Sequence, residues 1–137
     1  MDRTQARQLA HQVLEATDGY DRVFDGPADS FDAQSPIAVI TSKSIGATFD
    51  AREVWSIESG ILVSIYVRRD PGTDAAAAAE DQLDSLVVSA VRGLIATGDF
   101  DIGPSDAFAE NAPVRIIDGT PYRVERIPLR VSDDYEE

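Results

Sequence analysis

Cysteine is absent from the 137 residues, and histidine, lysine, methionine and tryptophan each occur once. The missing thiols exclude a disulfide scaffold, a cysteine-ligated zinc or iron–sulfur site and a cysteine nucleophile. A single histidine excludes the multi-histidine metal sites. Long apolar runs are also missing. The longest is the alanine run 75–79, so no segment reads as a membrane span, and the first residues lack the apolar core of a signal peptide. The length fits one domain, 1–137. What the chain has in excess is acid. It carries 25 Asp and Glu against 12 Lys and Arg, a net charge of −13. That charge opposes binding to phosphate backbones and anionic lipid. The hydrophobic content of 43% is enough for a packed core, and a chain of this size buries roughly two-thirds of its unfolded surface. The expectation is a soluble, acidic, intracellular domain. Eleven of the twelve bases are arginine, and Lys43 is the only lysine. Either a GC-rich coding bias or adaptation to high salt produces such a balance.

Periodicity gives the elements. Residues 2–17 read as a helix with the stripe Ala6, Leu9, Ala10, Val13 and Leu14, capped by Asp2 and stopped by Gly19. A short strand is expected at 20–24, then an acidic loop to 35. The tetrad Ile37-Ala38-Val39-Ile40 suits a strand buried on both faces, and the polar stretch 41–51 reads as a long loop or hairpin tip. Alternation from Trp55 to Arg68 marks one long strand, with a bulge suggested at Gly60. A long helix follows to about 97, capped by Thr73 or Asp74. Its stripe is Ala79, Leu83, Leu86, Val87, Ala90, Val91, Leu94 and Ile95. Residues 99–113 read as a loop, with one helical turn at 105–110. Residues 114–117 and 122–131 form a hairpin about Asp118-Gly119, with a bulge expected at Arg126 where the alternation changes phase. The tail 132–137 is expected to fray. The fold class is α+β: a mostly antiparallel sheet with two helices packed on one face.

The chemistry-bearing residues form no recognised constellation. His11 lies beside the apolar stripe of the first helix; a catalytic role would need a positioned nucleophile or acid partner, and it reads as a surface or stripe-edge polar residue. Asp99, Asp101 and Asp106 miss the calcium-loop pattern, because Gly103 stands where a ligand belongs. Asp25, Asp29 and Asp32 read as a solvated charge run. The arginines at 68–69 and at 123, 126 and 130 read as partners for nearby acids. No catalytic, cofactor-binding or metal-ligating residue is expected. Leu62 and Tyr66 occupy the face of the long strand opposite Trp55, where they form an expected apolar patch for a protein partner.

The order of these segments carries a resemblance. The helical stripe is followed by Tyr20-Asp21-Arg22-Val23-Phe24-Asp25-Gly26-Pro27 and by Ser35-Pro36-Ile37-Ala38-Val39-Ile40. Then come the Trp55 strand, the alanine-rich helix, and Ile116-Ile117-Asp118-Gly119-Thr120-Pro121-Tyr122 leading into Ile127-Pro128-Leu129. In order and spacing over most of the chain, this resembles the tail terminator (tail completion) proteins of long-tailed phages and tailed archaeal viruses. The resemblance implies a structural virion subunit of the tail or neck, assembled in the host cytoplasm. It implies a sixfold ring that caps the tail tube and joins it to the head connector proteins. Genome DNA would pass through the channel unbound, and neither membrane, cofactor nor catalysis is involved. The interface residues expected under it are Lys43, Ile45, Phe49, Leu62, Tyr66, Phe100 and Phe108, with the loops 41–51 and 99–113 reaching neighbours. Other neck or head-completion subunits and a small protein-binding adaptor are the alternatives, and an enzyme working through the carboxylates of the 25 or 99 loops is a third class.

Overall fold

The computed structural model describes residues 1–49, 54–103 and 114–136, and side-chain surroundings within 1–47, 56–103 and 114–132. Two helices, α1 (Arg3–Glu15) and α2 (Thr73–Ala96), pack on one face of a six-stranded sheet. The strands are β1 (Arg22–Asp25), β2 (Ile37–Phe49), β3 (Val54–Arg68), β4 (Asp101–Ile102), β5 (Val114–Ile117) and β6 (Thr120–Glu136). Their order is β1-β2-β3-β6-β4, with β5 also on β6. All pairs are antiparallel except β1 with β2. The expected α+β class is therefore the observed one.

Local chemistry explains the helix ends. Asp2 caps α1 by accepting from the Gln5 N–H at 2.8 Å, and the Gln5 side chain accepts from the Asp2 N–H at 2.9 Å. Two end donors are thus satisfied reciprocally. At α2 the cap position is Gly72 rather than Thr73 or Asp74, with no side-chain cap bond. Its φ of 108° is a conformation that a side chain at the cap rarely adopts. Ala6, Ala10 and Leu14 from α1 meet Ala79, Leu83, Leu86, Ala90 and Leu94 from α2 over the sheet. The helices approach closely at Gly93, where a Cβ would stand 3.0 Å from Val13 Cγ1. Ile95 is not part of this seam. It is 59% exposed, because it sits about 100° round the helix from the buried Leu94.

The sheet carries two cores, one on each face. Ala38, Ile40, Ile61, Val63, Ile65, Val67, Ile127, Leu129 and Val131 face the helices. Ile37, Val39, Tyr66, Tyr122 and Val124 face the other way and are covered by Phe31. The tetrad Ile37–Ile40 is thus buried on both faces, as its composition predicts. The same arrangement removes the bulge expected at Arg126. Pairing of β3 with β6 runs without a shift from Arg68↔Tyr122 to Val54↔Glu136. The hydrophobic phase changes because the buried face changes: Tyr122 and Val124 serve the Phe31 core, and Ile127, Leu129 and Val131 serve the helix core.

Three other expectations are corrected. Residues 41–49 are not loop but continue β2, paired with β3 as far as Phe49↔Trp55. The tail does not fray along 132–136, since β6 runs to Glu136 against β3. The irregularity suggested at Gly60 is real but its extra residue lies across the ladder. Ser42 pairs with Ile61 and Ser44 with Gly60, so Lys43 is the bulged residue of β2. A Cβ at Gly60 would come within 2.5 Å of Ser44 Oγ, which accounts for glycine opposite the bulge. The Asp118-Gly119 turn has φ of 51° and 75°, the type I′ geometry that an Asp-Gly pair favours. The helical turn expected at 105–110 lies outside the described residues.

Candidate assembly surfaces

Phe31 is the residue that shapes the face away from the helices. It is buried in an otherwise acidic loop. Its ring meets Tyr66 edge-on at 4.9 Å and Tyr122 at 5.2 Å, and stacks on Phe24 at 6.0 Å. Such pairs add about 0.5–1.5 kcal/mol beyond the area they bury. Tyr122 Oη donates to the Gln34 carbonyl at 3.0 Å, and the Arg68 N–H donates to Ser35 Oγ at 2.8 Å. These bonds tie the C-terminal end of the Phe31 loop to the sheet, and at its start the Gly26 N–H donates to the Ile40 carbonyl at 2.8 Å. The sequence signal available for this staple was one aromatic inside a polar loop.

The expected exposed patch therefore changes. Tyr66 is only 8% exposed, because Phe31 covers it. Leu62 is half-buried and lines a cleft of about 310 Å³ with Pro27, Thr41, Arg115, Ile117 and Arg126. Two of the arginines read as partners for nearby acids do have such partners. Arg123 is held by Glu80 and the Val124 carbonyl, and Arg68 stands 3.4 Å from Asp70.

The second surface is an arm. β2, β3 and β6 are 13, 15 and 17 residues long, well beyond the usual five or six. Residues 42–49, 54–60 and 132–136 extend the three-stranded ladder past both cores, and no described side chain among them belongs to either core. The bulge at Lys43 inverts the phase of β2. Ile45 and Ala47 therefore share a face with Ser59 and Ile57, and the register sets Phe49, Trp55 and Tyr135 in one row. Ile45 is 62% exposed.

The structure thus gathers Lys43, Ile45 and Phe49 on the arm and sets Leu62 and Tyr66 on the Phe31 face. Phe100 packs half-buried against the helix-side core. Phe108 lies outside the described residues. Exposed apolar positions not foreseen in the sequence are Ile116, 72% exposed in the edge strand β5, and Val88 on α2.

The carboxylates and His11 serve local contacts. His11 Nε2 lies 3.2 Å from the Val23 carbonyl and 3.3 Å from Glu15 Oε1. Asp25 lies 3.8 Å from Arg7, and Asp32 accepts from Ser30 Oγ. Among the described residues no three acids or histidines gather where one cation would bind them. Asp101 is in β4, paired with Arg130 of β6, and Asp106 lies outside the described residues. Among the described residues no helix is long and apolar enough to cross a membrane.

Two buried phenols make a chemical prediction. Burial pushes both Tyr20 and Tyr122 above the ordinary tyrosine range. For Tyr122, Arg68 opposes the shift and Asp118 adds to it. A raised folded-state value favours the neutral, folded form. Its stabilising contribution is full below pH 10 and is lost as pH rises through the folded value. Tyr20 Oη is buried with no hydrogen-bond partner among the described residues. Tyr20→Phe is therefore expected to leave stability at pH 7 equal or up to about 1–2 kcal/mol higher. It should also flatten the loss of stability above pH 10, read from urea midpoints at pH 7 and 11.

No protein-family model matches the chain, and no curated protein does. Among solved structures the chain is similar to the PVC sheath/tube terminator in its extended state, from a cryo-EM structure of an extracellular contractile injection system. The identity is 10% and the TM-score 0.48, with the whole of this chain aligned to 58% of that one. The chain thus spans less than two-thirds of that neighbour's length.

Proposed function

We propose that the chain is a tail terminator subunit, a structural virion protein that closes into a ring of six on the end of a tail tube and offers the surface to which the head connector joins. Its partners are its own copies, the tube protein and the connector proteins, and genome DNA passes the channel unbound. The role needs no catalytic group and no cofactor.

The observation that carries the reading is the arm. A ladder of three strands that runs beyond both cores contributes no described core side chain. Ordering its backbone costs about 1–2 kcal/mol per residue, which its own ladder recovers poorly, so its use is sought in contacts outside the subunit. The sequence order that resembles the terminator family supports the same reading. The adaptor alternative is weakened, because Tyr66, half of its expected patch, is covered by Phe31.

The test is the native mass in high and low salt, with negative-stain images of the same fractions, alone and after mixing with purified tail tubes. Open rings alone or caps on tubes support the proposal. Monomers under all these conditions, with bare tube ends, refute it.

Acidity gives a further prediction. With 25 acids and one lysine, self-repulsion acts against the compact state and is relieved by salt. If the composition reflects adaptation to high salt, the melting temperature should rise by about 10 °C or more between 0.1 and 2 M KCl. A flat profile leaves coding bias as the source.

A further inference from the structure

The arm has two open edges, and they differ in chemistry. β1 covers β2 only from Ile37 to Ile40, and β4 meets β6 only at Leu129 and Arg130. Among the described residues, 41–49 of β2 and 131–136 of β6 therefore pair with β3 alone, with Lys43 bulged out of the ladder. Each edge presents a row of backbone donors and acceptors, the usual template for adding a strand. The β6 edge carries Asp133, Asp134 and Glu136 and no base. The β2 segment 42–49 carries Lys43, the chain's only lysine, and no acid.

We propose that these edges join neighbouring copies, the β6 edge of one pairing with the β2 edge of the next. The inference rests on the self-assembling reading above and names the surfaces that meet. Pairing β6 with β6 would bring two acidic rows together, which like-charge repulsion disfavours. Pairing β2 with β2 would leave the acidic edge of both copies unused and would stop at a dimer. Pairing β6 with β2 sets acid against a segment whose one charge is positive and uses both edges of every copy. The open stretches, 41–49 of β2 and 131–136 of β6, overlap along β3, where Phe49 and Tyr135 both pair with Trp55. Both strands are antiparallel to β3 and so run the same way. A rotation about an axis along the strands therefore joins them as a parallel pair. Such a contact is head-to-tail, and it generates a closed ring when the rotation closes. The acids and the Lys43 bulge also block indiscriminate edge pairing, so isolated subunits associate weakly until a template aligns them.

The chain lacks cysteine, so introduced thiols report on single positions. Ile45→Cys and Ser132→Cys are made separately and together, and treated with a short bismaleimide in the state, alone or on tail tubes, that shows association. The expected result is a covalent dimer only when the two single variants are mixed, and a covalent ladder from the double variant. Cross-linking of Ile45→Cys with itself would show a β2 pair and overturn the proposal. Rings or caps without the mixed cross-link would overturn it while leaving the ring reading intact. No association under any condition would overturn both. A second pair of variants reads the charge. Lys43→Glu with Ile45→Glu should weaken association at least tenfold, and adding Asp133→Lys with Asp134→Lys should restore it. Unchanged association in the first would also overturn the proposal.

Discussion

Phe31→Ala is expected to lower stability by about 3–5 kcal/mol, the usual cost of emptying a buried aromatic site. The ring is 3% exposed and stands at the centre of the Phe24, Tyr66 and Tyr122 cluster. Its removal takes the lid from Tyr66, Ile37, Val39 and Val124 together. The backbone tie from Tyr122 Oη to the Gln34 carbonyl then holds a turn with nothing under it. Phe31→Leu keeps most of the volume and should cost about 1.5 kcal/mol or less. Urea midpoints measure the difference, and second-derivative tyrosine absorbance reports the newly wet rings. A cost below about 1 kcal/mol for Phe31→Ala would mean that the sheet face is closed by other groups.

That staple also marks where sequence reasoning stopped. Period-two alternation gave β3, and period-3.6 stripes gave both helices, because each turns a regular apolar series toward the helix-side core. The same logic misread β6. A strand whose buried face changes partway looks like a bulged strand, since alternation records burial and not backbone register. Tyr122 and Val124 alternate for one core, and Ile127, Leu129 and Val131 for the other. The arm was illegible for the opposite reason. Residues 41–49 read as loop because Thr41, Ser42, Lys43 and Ser44 bury little, and 132–136 read as a tail because they are acidic. In β2 and β6 these stretches are held by ladder hydrogen bonds, with no described side chain in either core, and alternation records burial rather than ladder pairing. Of the expected interface residues, Lys43, Ile45 and Phe49 fell together because they share one strand. Leu62 and Tyr66 were placed on the correct face but without the loop that covers Tyr66.

The arm permits a sharp separation of folding from assembly. Replacing 43–60 by Asn-Gly joins Ser42 to Ile61, which already pair, through a two-residue hairpin turn. Ending the same chain at Val131 removes the outer part of β6. Among the described side chains, none of either core cluster lies in the deleted stretches, and Val131, a helix-side core residue of β6, is kept. The shortened chain should keep its helical circular dichroism and melt within a few degrees of the full chain. Its self-association should weaken by roughly 100-fold, or about 2.7 kcal/mol, by sedimentation at matched concentration. The expected direction follows from what each part buries. The body holds two cores, and the arm holds open edges whose hydrogen bonds are completed by another copy or by water. Loss of the fold would make the arm a part of the subunit's own stability. A folded shortened chain that still assembled would move the contact to the body, to the cleft at Leu62 and Arg115 or the exposed Ile116 of β5.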